Sequence, residues 1–301
     1  MIEVNHHELI INKFPAGEYN VRLIPDSSVL YNCVFECMIN FSFESSDDIV
    51  LLLLVVDAFH ELHKNNIDLS LNIPYFPFSR QDRVMNKGEA FSLRAIASVI
   101  KSLNFKSINV LDPHSDVLAG LFPPGLLRIT TQEEMIKGAF ISQESFSSPE
   151  LPSDLSNLLD LEREKTYVIS PDAGALKKIY KVNNIFSDNP VLIGTKIRNT
   201  NTGEITGTEI IGFDKIKDSE CNFIIIDDIC DGGRTFNELA KFIKEKEINP
   251  KKLILYVSHG IFSKGFEEIK DYFNFIIVSN IVNKDVLHTT TFERINNHYV
   301  I

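Results

Sequence analysis

The residues of this chain best suited to chemistry stand together in Phe223-Ile-Ile-Ile-Asp-Asp-Ile-Cys-Asp-Gly-Gly-Arg-Thr235, where an apolar run meets Asp227 and Asp228, then Asp231, Gly232, Gly233, Arg234 and Thr235. Carboxylates at the carboxyl end of a buried parallel strand face the crevice in which α/β proteins bind ligands. They can accept hydrogen bonds from the vicinal hydroxyls of a sugar, while the backbone N–H groups of Gly232, Gly233 and Arg234 point into an anion site at a helix start. One turn could then grip a sugar at its hydroxyls and at its phosphate. The same loop also reads as a plain turn in which glycine relieves strain and aspartate caps a helix. A second candidate is the post-strand loop Arg80-Gln81-Asp82-Arg83, whose guanidinium groups suit phosphate and which reads equally as a surface salt-bridge cluster.

These side chains need a scaffold, and the sequence supplies one. Strand-like apolar runs followed by helix-length segments recur along the chain, the pattern of parallel α/β units. Ser46-Asp47 reads as the N-cap of a helix to about Leu62, residues 69–74 as a strand leading into the loop 75–87, and 92–103 and 107–111 as the next helix and strand. Residues 141–165 turn rich in Ser, Pro, Asp and Glu, which marks an exposed connection with a short helix at 155–161. Beyond it the pattern predicts strands at 166–170 and 190–193, a hairpin through 201–212, a strand at 222–226, a helix at 235–246, and strands at 252–257 and 273–278. The expected domains are therefore 1–145 and 165–301, each a mainly parallel sheet flanked by helices.

Composition narrows the partners. A length of 301 residues favours two domains, and 44% hydrophobic with 24% charged residues is ordinary for a globular chain. A net charge of −11 argues against a broad nucleic-acid or membrane-binding face, so any polyanionic ligand is held locally. Cys33, Cys37, Cys221 and Cys230 show no CxxC spacing and no secretory signal opens the chain, so disulfides and zinc are not expected and the setting reads as cytoplasmic. The apolar run Ile49 to Val56 falls well short of the roughly 20 residues needed to cross a bilayer and reads as a buried helix.

Asp227 to Thr235 resembles the phosphoribosyl-binding loop shared by phosphoribosyltransferases and ribose-phosphate pyrophosphokinases. Ile73-Pro-Tyr-Phe-Pro-Phe-Ser-Arg-Gln-Asp-Arg83 resembles the ATP-binding segment of the pyrophosphokinases, which ordinary phosphoribosyltransferases lack. Five further segments are similar to that family in the same order. Phe14-Pro-Ala-Gly-Glu18 resembles a stretch that reaches the ATP of a neighbouring subunit, and Leu111-Asp-Pro-His-Ser-Asp116 places His114 at a strand end. Ser170-Pro-Asp-Ala-Gly174 contains Asp172, and Tyr256-Val-Ser-His-Gly-Ile-Phe-Ser263 closes the second domain. Lys196-Ile-Arg198 looks like the family's Lys-x-Arg pair at the root of a catalytic loop. Taken alone, a single His is more often structural and the Lys-x-Arg pair reads as a charged hairpin base.

The resemblance implies two phosphoribosyltransferase-like domains and a transfer of the β,γ-diphosphate of ATP to the anomeric hydroxyl of a phosphorylated ribose, releasing AMP. By the same implication Phe14, Glu18, Arg80, Gln81, Asp82 and His114 bind ATP, Lys196 and Arg198 are catalytic, and Asp227, Asp228 and 231–235 hold the ribose phosphate. His114 and Asp172 would hold Mg2+, and the protein would be a homo-oligomer built from dimers. One departure bears on the acceptor. The family's loop usually reads Asp-Thr-small-Gly-Thr, whereas Asp231-Gly-Gly-Arg-Thr235 carries an extra cation, so ribose 5-phosphate and ADP-ribose, the latter for nucleotide salvage, both stay open as acceptors. The short stretch before Phe14 and the ending 288–301 leave the family's hexamer and its allosteric sites open for this chain. A transferase that consumes an activated ribose, and a non-catalytic regulatory relative, are the other readings.

Overall fold

The computed structural model describes residues 1–26, 36–64, 66–140, 161–198, 205–216, 220–246, 248–289, 293–295 and 298–300. The chain divides into two compact units, Met1–Thr130 and Thr131–Ile301, each built on its own sheet.

In the first unit β1 (Ile2–Val4) is followed by the hairpin β2 (His7–Lys13) and β3 (Tyr19–Pro25), then β4 (Glu36–Phe41), α1 (Asp47–His63) and β5 (Asp68–Asn72). After these come α2 (Ser92–Ser102), β6 (Ser107–Leu111), α3 (Val117–Gly120) and β7 (Leu127–Thr130). The sheet runs β1-β4-β5-β6-β7, parallel from β4 onward with β1 antiparallel at its edge. The apolar run expected as a buried helix lies in α1, where Ile49, Leu51, Leu52, Val55, Val56 and Phe59 are buried. Its capping differs from expectation. Ser46 has helical backbone (φ −63°, ψ −24°) and makes no side-chain cap bond, because capping geometry requires extended backbone there. Asp48 instead ties down the approach to the helix: its Oδ2 accepts the N–H groups of Glu44 at 2.8 Å and Ser45 at 2.7 Å.

In the second unit α4 (Gln132–Phe140) precedes β8 (Thr166–Ser170), α5 (Leu176–Phe186), β9 (Leu192–Arg198) and β10 (Ile205–Ile211). Then follow β11 (Glu220–Cys230), α6 (Arg234–Lys244), β12 (Asn249–Gly260), α7 (Glu267–Lys270), β13 (Phe275–Ile281), α8 (Val286–Thr289), β14 (Glu293–Ile295) and β15 (His298–Val300). The strand order is β10-β9-β8-β11-β12-β13-β15-β14, parallel from β9 to β13. Alternate residues of β11 enter opposite cores. Phe223 and Ile225 pack with Leu239, Ala240 and Ile243 of α6, while Ile224 and Ile226 pack with Ile179, Val182 and Phe186 of α5. Both faces are covered, which is why the strand reads as a continuous apolar run.

Several strands outrun their expected bounds, β12 at both ends and β13 at its carboxyl end among them, and two of these bear on the site. The strand expected to stop at Ile193 continues to Arg198, because β10 pairs with it antiparallel. The one expected to stop at Ile226 continues to Cys230 along β12. The short helix expected at 155–161 lies, apart from its last residue, outside the described residues.

Candidate active site

Asp227 and Asp228 stand within β11 rather than after it. The β8 side of the ladder ends at the pair Ile225 and Ile169, whereas the β12 side runs on to Cys230 and Gly260. Beyond Ile225 one edge of β11 is therefore released from β8, and the two acids emerge half-buried at the strand's carboxyl end. The backbone there is braced: the Asp227 carbonyl accepts Gln132 Nε2 at 2.8 Å, and the same nitrogen reaches Ser258 Oγ at 3.2 Å. Asp227 Oδ1 accepts the Asp228 N–H at 2.9 Å, and Lys178 Nζ lies 3.6 Å from Asp228 Oδ2. Burial, followed by the charge of Asp228 and with Asp172 adding, raises the Asp227 carboxyl well above the usual carboxylate range. Like charges so arranged call for hydroxyl donors or a cation.

The loop that follows is held against the turn 261–265. The Cys230 carbonyl accepts the N–H groups of Ile261 at 2.8 Å and Phe262 at 3.2 Å, and Ser263 Oγ donates to Asp231 Oδ1 at 2.6 Å. Gly233 precedes α6 with φ +75°, and a Cβ there would lie 2.4 Å from Ile269 Cδ1, so both backbone and space demand glycine. Because α6 has no side-chain cap and no acidic residue in its first turn, its leading N–H groups remain open to an anion. Arg234, exposed, and Thr235, half-buried, are its first residues.

Asp172 is exposed on the turn after β8, with Oδ1 accepting the N–H groups of Gly174 at 2.8 Å and Ala175 at 3.0 Å. Ser170 Oγ donates to the Asp172 carbonyl at 2.7 Å, closing the turn on itself. Gly194 of β9 lets this turn approach: a Cβ there would sit 2.7 Å from the Pro171 carbonyl oxygen and 2.8 Å from Leu239 Cδ2. Sequence reasoning passed over Gly194, although an isolated glycine inside a strand signals close backbone approach. It also passed over Gln132, which carried no signal at all. Lys196 is exposed in β9 opposite Thr208, and Arg198 ends that strand opposite Ile205. Both lie in the β9–β10 ladder rather than beyond a strand end, as expected from the sequence.

In the first unit Arg80, Gln81, Asp82 and His114 line one cavity of about 580 Å3, together with Arg83, Met85, Glu89, Ala90 and Ser92. Asp82 is buried and accepts Arg83 Nε at 2.9 Å; the Arg83 guanidinium, with His114 adding, holds its carboxyl below the usual range. Glu89 Oε2 closes the far side of the loop by accepting the N–H groups of Met85 at 3.0 Å and Asn86 at 2.9 Å. Phe14 and Glu18 do not line this cavity. They form the tip of the β2–β3 hairpin, where the Phe14 N–H donates to the Glu18 carbonyl at 2.7 Å and the Phe14 side chain is exposed. Among the described residues no cluster of three or more His, Cys, Asp or Glu is arranged to hold a metal, and no helix is long and apolar enough to cross a membrane.

Two units, each with a largely parallel sheet and helices on its faces, give the chain a two-domain phosphoribosyltransferase-like fold. A family model for the N-terminal domain of ribose phosphate pyrophosphokinase matches residues 1–103. The chain is 26% identical to the ribose-phosphate pyrophosphokinase of Mycoplasmopsis pulmonis over 91% of its own length and 77% of that protein's. It is likewise 26% identical to that of Thermococcus kodakarensis, over 91% of this chain and 86% of the relative. The crystal structure of phosphoribosylpyrophosphate synthetase from Mycobacterium smegmatis shares the fold, with a TM-score of 0.62 and 21% identity over 84% of this chain and 73% of that one. The chain is thus similar to ribose-phosphate pyrophosphokinases along most of its length.

Proposed function

We propose that this chain transfers the β,γ-diphosphate of ATP to the anomeric hydroxyl of ribose 5-phosphate, releasing AMP. The observation that carries the reading is the sequence of groups along one chain segment of the second unit: two half-buried acids at a strand end, then a glycine whose conformation opens a helix N-terminus. Asp227 and Asp228 orient the vicinal ribose hydroxyls, and the N–H groups at 232–235 hold the 5-phosphate. In the first unit Arg80 takes the phosphates of ATP, with Gln81, Asp82 and His114 as further contacts in the cavity they share. Lys196 and Arg198 supply positive charge as charge develops on the transferred diphosphate.

The carboxylates fit Mg2+ as a cation that keeps water and substrate oxygens in its shell. Crowding raises Asp227, and one oxygen of exposed Asp172 is left beyond the two N–H groups its partner accepts. When bound, Mg2+ would neutralise charge on the ATP phosphates. Asp172 in the second unit and, separately, His114 in the first are each proposed as a contact for such a cation.

The names of the relatives support ribose 5-phosphate as the acceptor, and the ADP-ribose reading gains no support from them. Incubating the chain with ATP, Mg2+ and either ribose 5-phosphate or ADP-ribose tests both points. AMP formed with ribose 5-phosphate is the expected result; AMP formed only with ADP-ribose reverses the choice of acceptor, and none with either removes the kinase reading.

A further inference from the structure

The structure assigns Lys264 to the acceptor phosphate as a second cation beside Arg234, an inference that rests on the phosphoribosyl reading of the 227–235 loop. Lys264 belongs to the turn that is tied to that loop at the Cys230 carbonyl and at Asp231 Oδ1. The turn is closed by the Gly265 N–H donating to the Phe262 carbonyl at 2.8 Å, with Gly265 at φ +75°. These bonds fix where the lysine starts. Its stem then runs across the bare face of Gly232: Cδ, Cε and Cγ lie 3.4, 3.5 and 3.6 Å from the position a Cβ on Gly232 would take. The backbone of Gly232 is not in the left-handed region, so the space beside it is used by the lysine rather than required by the chain's own geometry.

The ammonium is available. Lys13, Lys106, Lys137, Lys241 and Lys270 each face an Asp or Glu, as a chain of net charge −11 makes easy. Among the described residues Lys264 and Arg234 engage no carboxylate, and both are exposed next to a helix start without acidic residues. A flexible, strongly hydrated point charge on such a stem suits a phosphomonoester dianion, which it can meet from outside while the N–H groups hold it from within. Lys264 is thus a binding and specificity residue for phosphorylated acceptors and takes no part in the transfer itself.

The test is Lys264→Ala in the full chain, assayed by AMP release at saturating ATP. The KM for ribose 5-phosphate should rise about five- to tenfold, with kcat and the KM for ATP changed less than about twofold, as expected for loss of one exposed charge contact. Lys264→Arg should recover most of the affinity, and unchanged thermal unfolding should show that the turn is intact. An unaltered KM for ribose 5-phosphate overturns the assignment. If the unmodified chain releases no AMP, the function reading fails separately, and calorimetric titration with inorganic phosphate decides about Lys264. Weaker phosphate binding in Lys264→Ala then supports the cation site, and equal binding overturns it.

Discussion

Gly233→Ala disturbs the phosphate loop in a way whose size follows from the geometry. Residue 233 holds φ +75°, a left-handed conformation that costs an L-residue about 1 to 2 kcal/mol. An added Cβ would also lie 2.4 Å from Cδ1 and 2.5 Å from Cγ1 of Ile269, a residue fully buried in the second unit's core, and overpacking of that kind costs about 1 to 3 kcal/mol. The expected loss is about 2 to 5 kcal/mol, a large part of a typical domain's stability. Its neighbour is the internal control. A Cβ on Gly232 meets Lys264 Cδ at 3.4 Å, ordinary contact, so Gly232→Ala should stay within about 0.5 kcal/mol of the parent. Urea unfolding monitored by circular dichroism compares the two. In the double variant Gly233→Ala with Ile269→Ala, the steric part disappears while the backbone part stays, giving a coupling of about 1 to 3 kcal/mol. Equal stability of the two glycine variants would refute the account of the loop.

Lys196→Ala should lower turnover by more than about a hundredfold while leaving ATP affinity nearly unchanged, since the charge acts mainly in the transition state; steady-state kinetics at varied ATP would expose a wrong assignment as unaltered kcat. Asp227→Asn should abolish acceptor turnover yet raise stability at neutral pH. The sign follows from linkage: a carboxyl whose folded pKa lies above its unfolded value stabilises most below the unfolded pKa, near 4, and that stability is lost as pH rises through the folded value. The advantage of Asn over Asp should therefore fade as pH falls through the folded value and be gone below about 4, and a constant difference across pH would contradict the crowding of acids described here. Asp82 is the opposite case, its pKa lowered by Arg83, so the stability it contributes should be present above the unfolded pKa and be lost on acidification in the parent but not in Asp82→Asn.

Much of the scaffold was legible because burial on both faces writes itself as an apolar run. The strands Ser107–Leu111 and Thr166–Ser170 have the bounds their composition suggests. Where the misreading occurred, the cause was pairing. Asp227 and Asp228 end the apolar run and so look like loop, yet β12 continues to pair with them after β8 has stopped, and it is this one-sided release that presents the acids. Lys196 and Arg198 likewise look like loop until β10 is seen to extend the ladder. The β2–β3 hairpin escaped notice although Tyr19, Val21 and Leu23 alternate with Asn20 and Arg22 in β3, because its partner β2 shows no such alternation. Glycines at 194 and 233 were visible as letters, but only the positions of the Pro171 carbonyl and Ile269 explain why nothing larger fits. Lys264 illustrates the limit: a lysine in a surface turn has no signature until its stem is found lying over Gly232.

The central claim is that phosphorus leaves ATP as a diphosphate. Phosphorus NMR of a reaction containing the chain, ATP, Mg2+ and ribose 5-phosphate reads this directly. The account predicts AMP and a new diphosphate ester of the sugar appearing in equal amounts as ATP disappears. Formation of ADP with a singly phosphorylated new ester, or ATP left unconsumed, would contradict it.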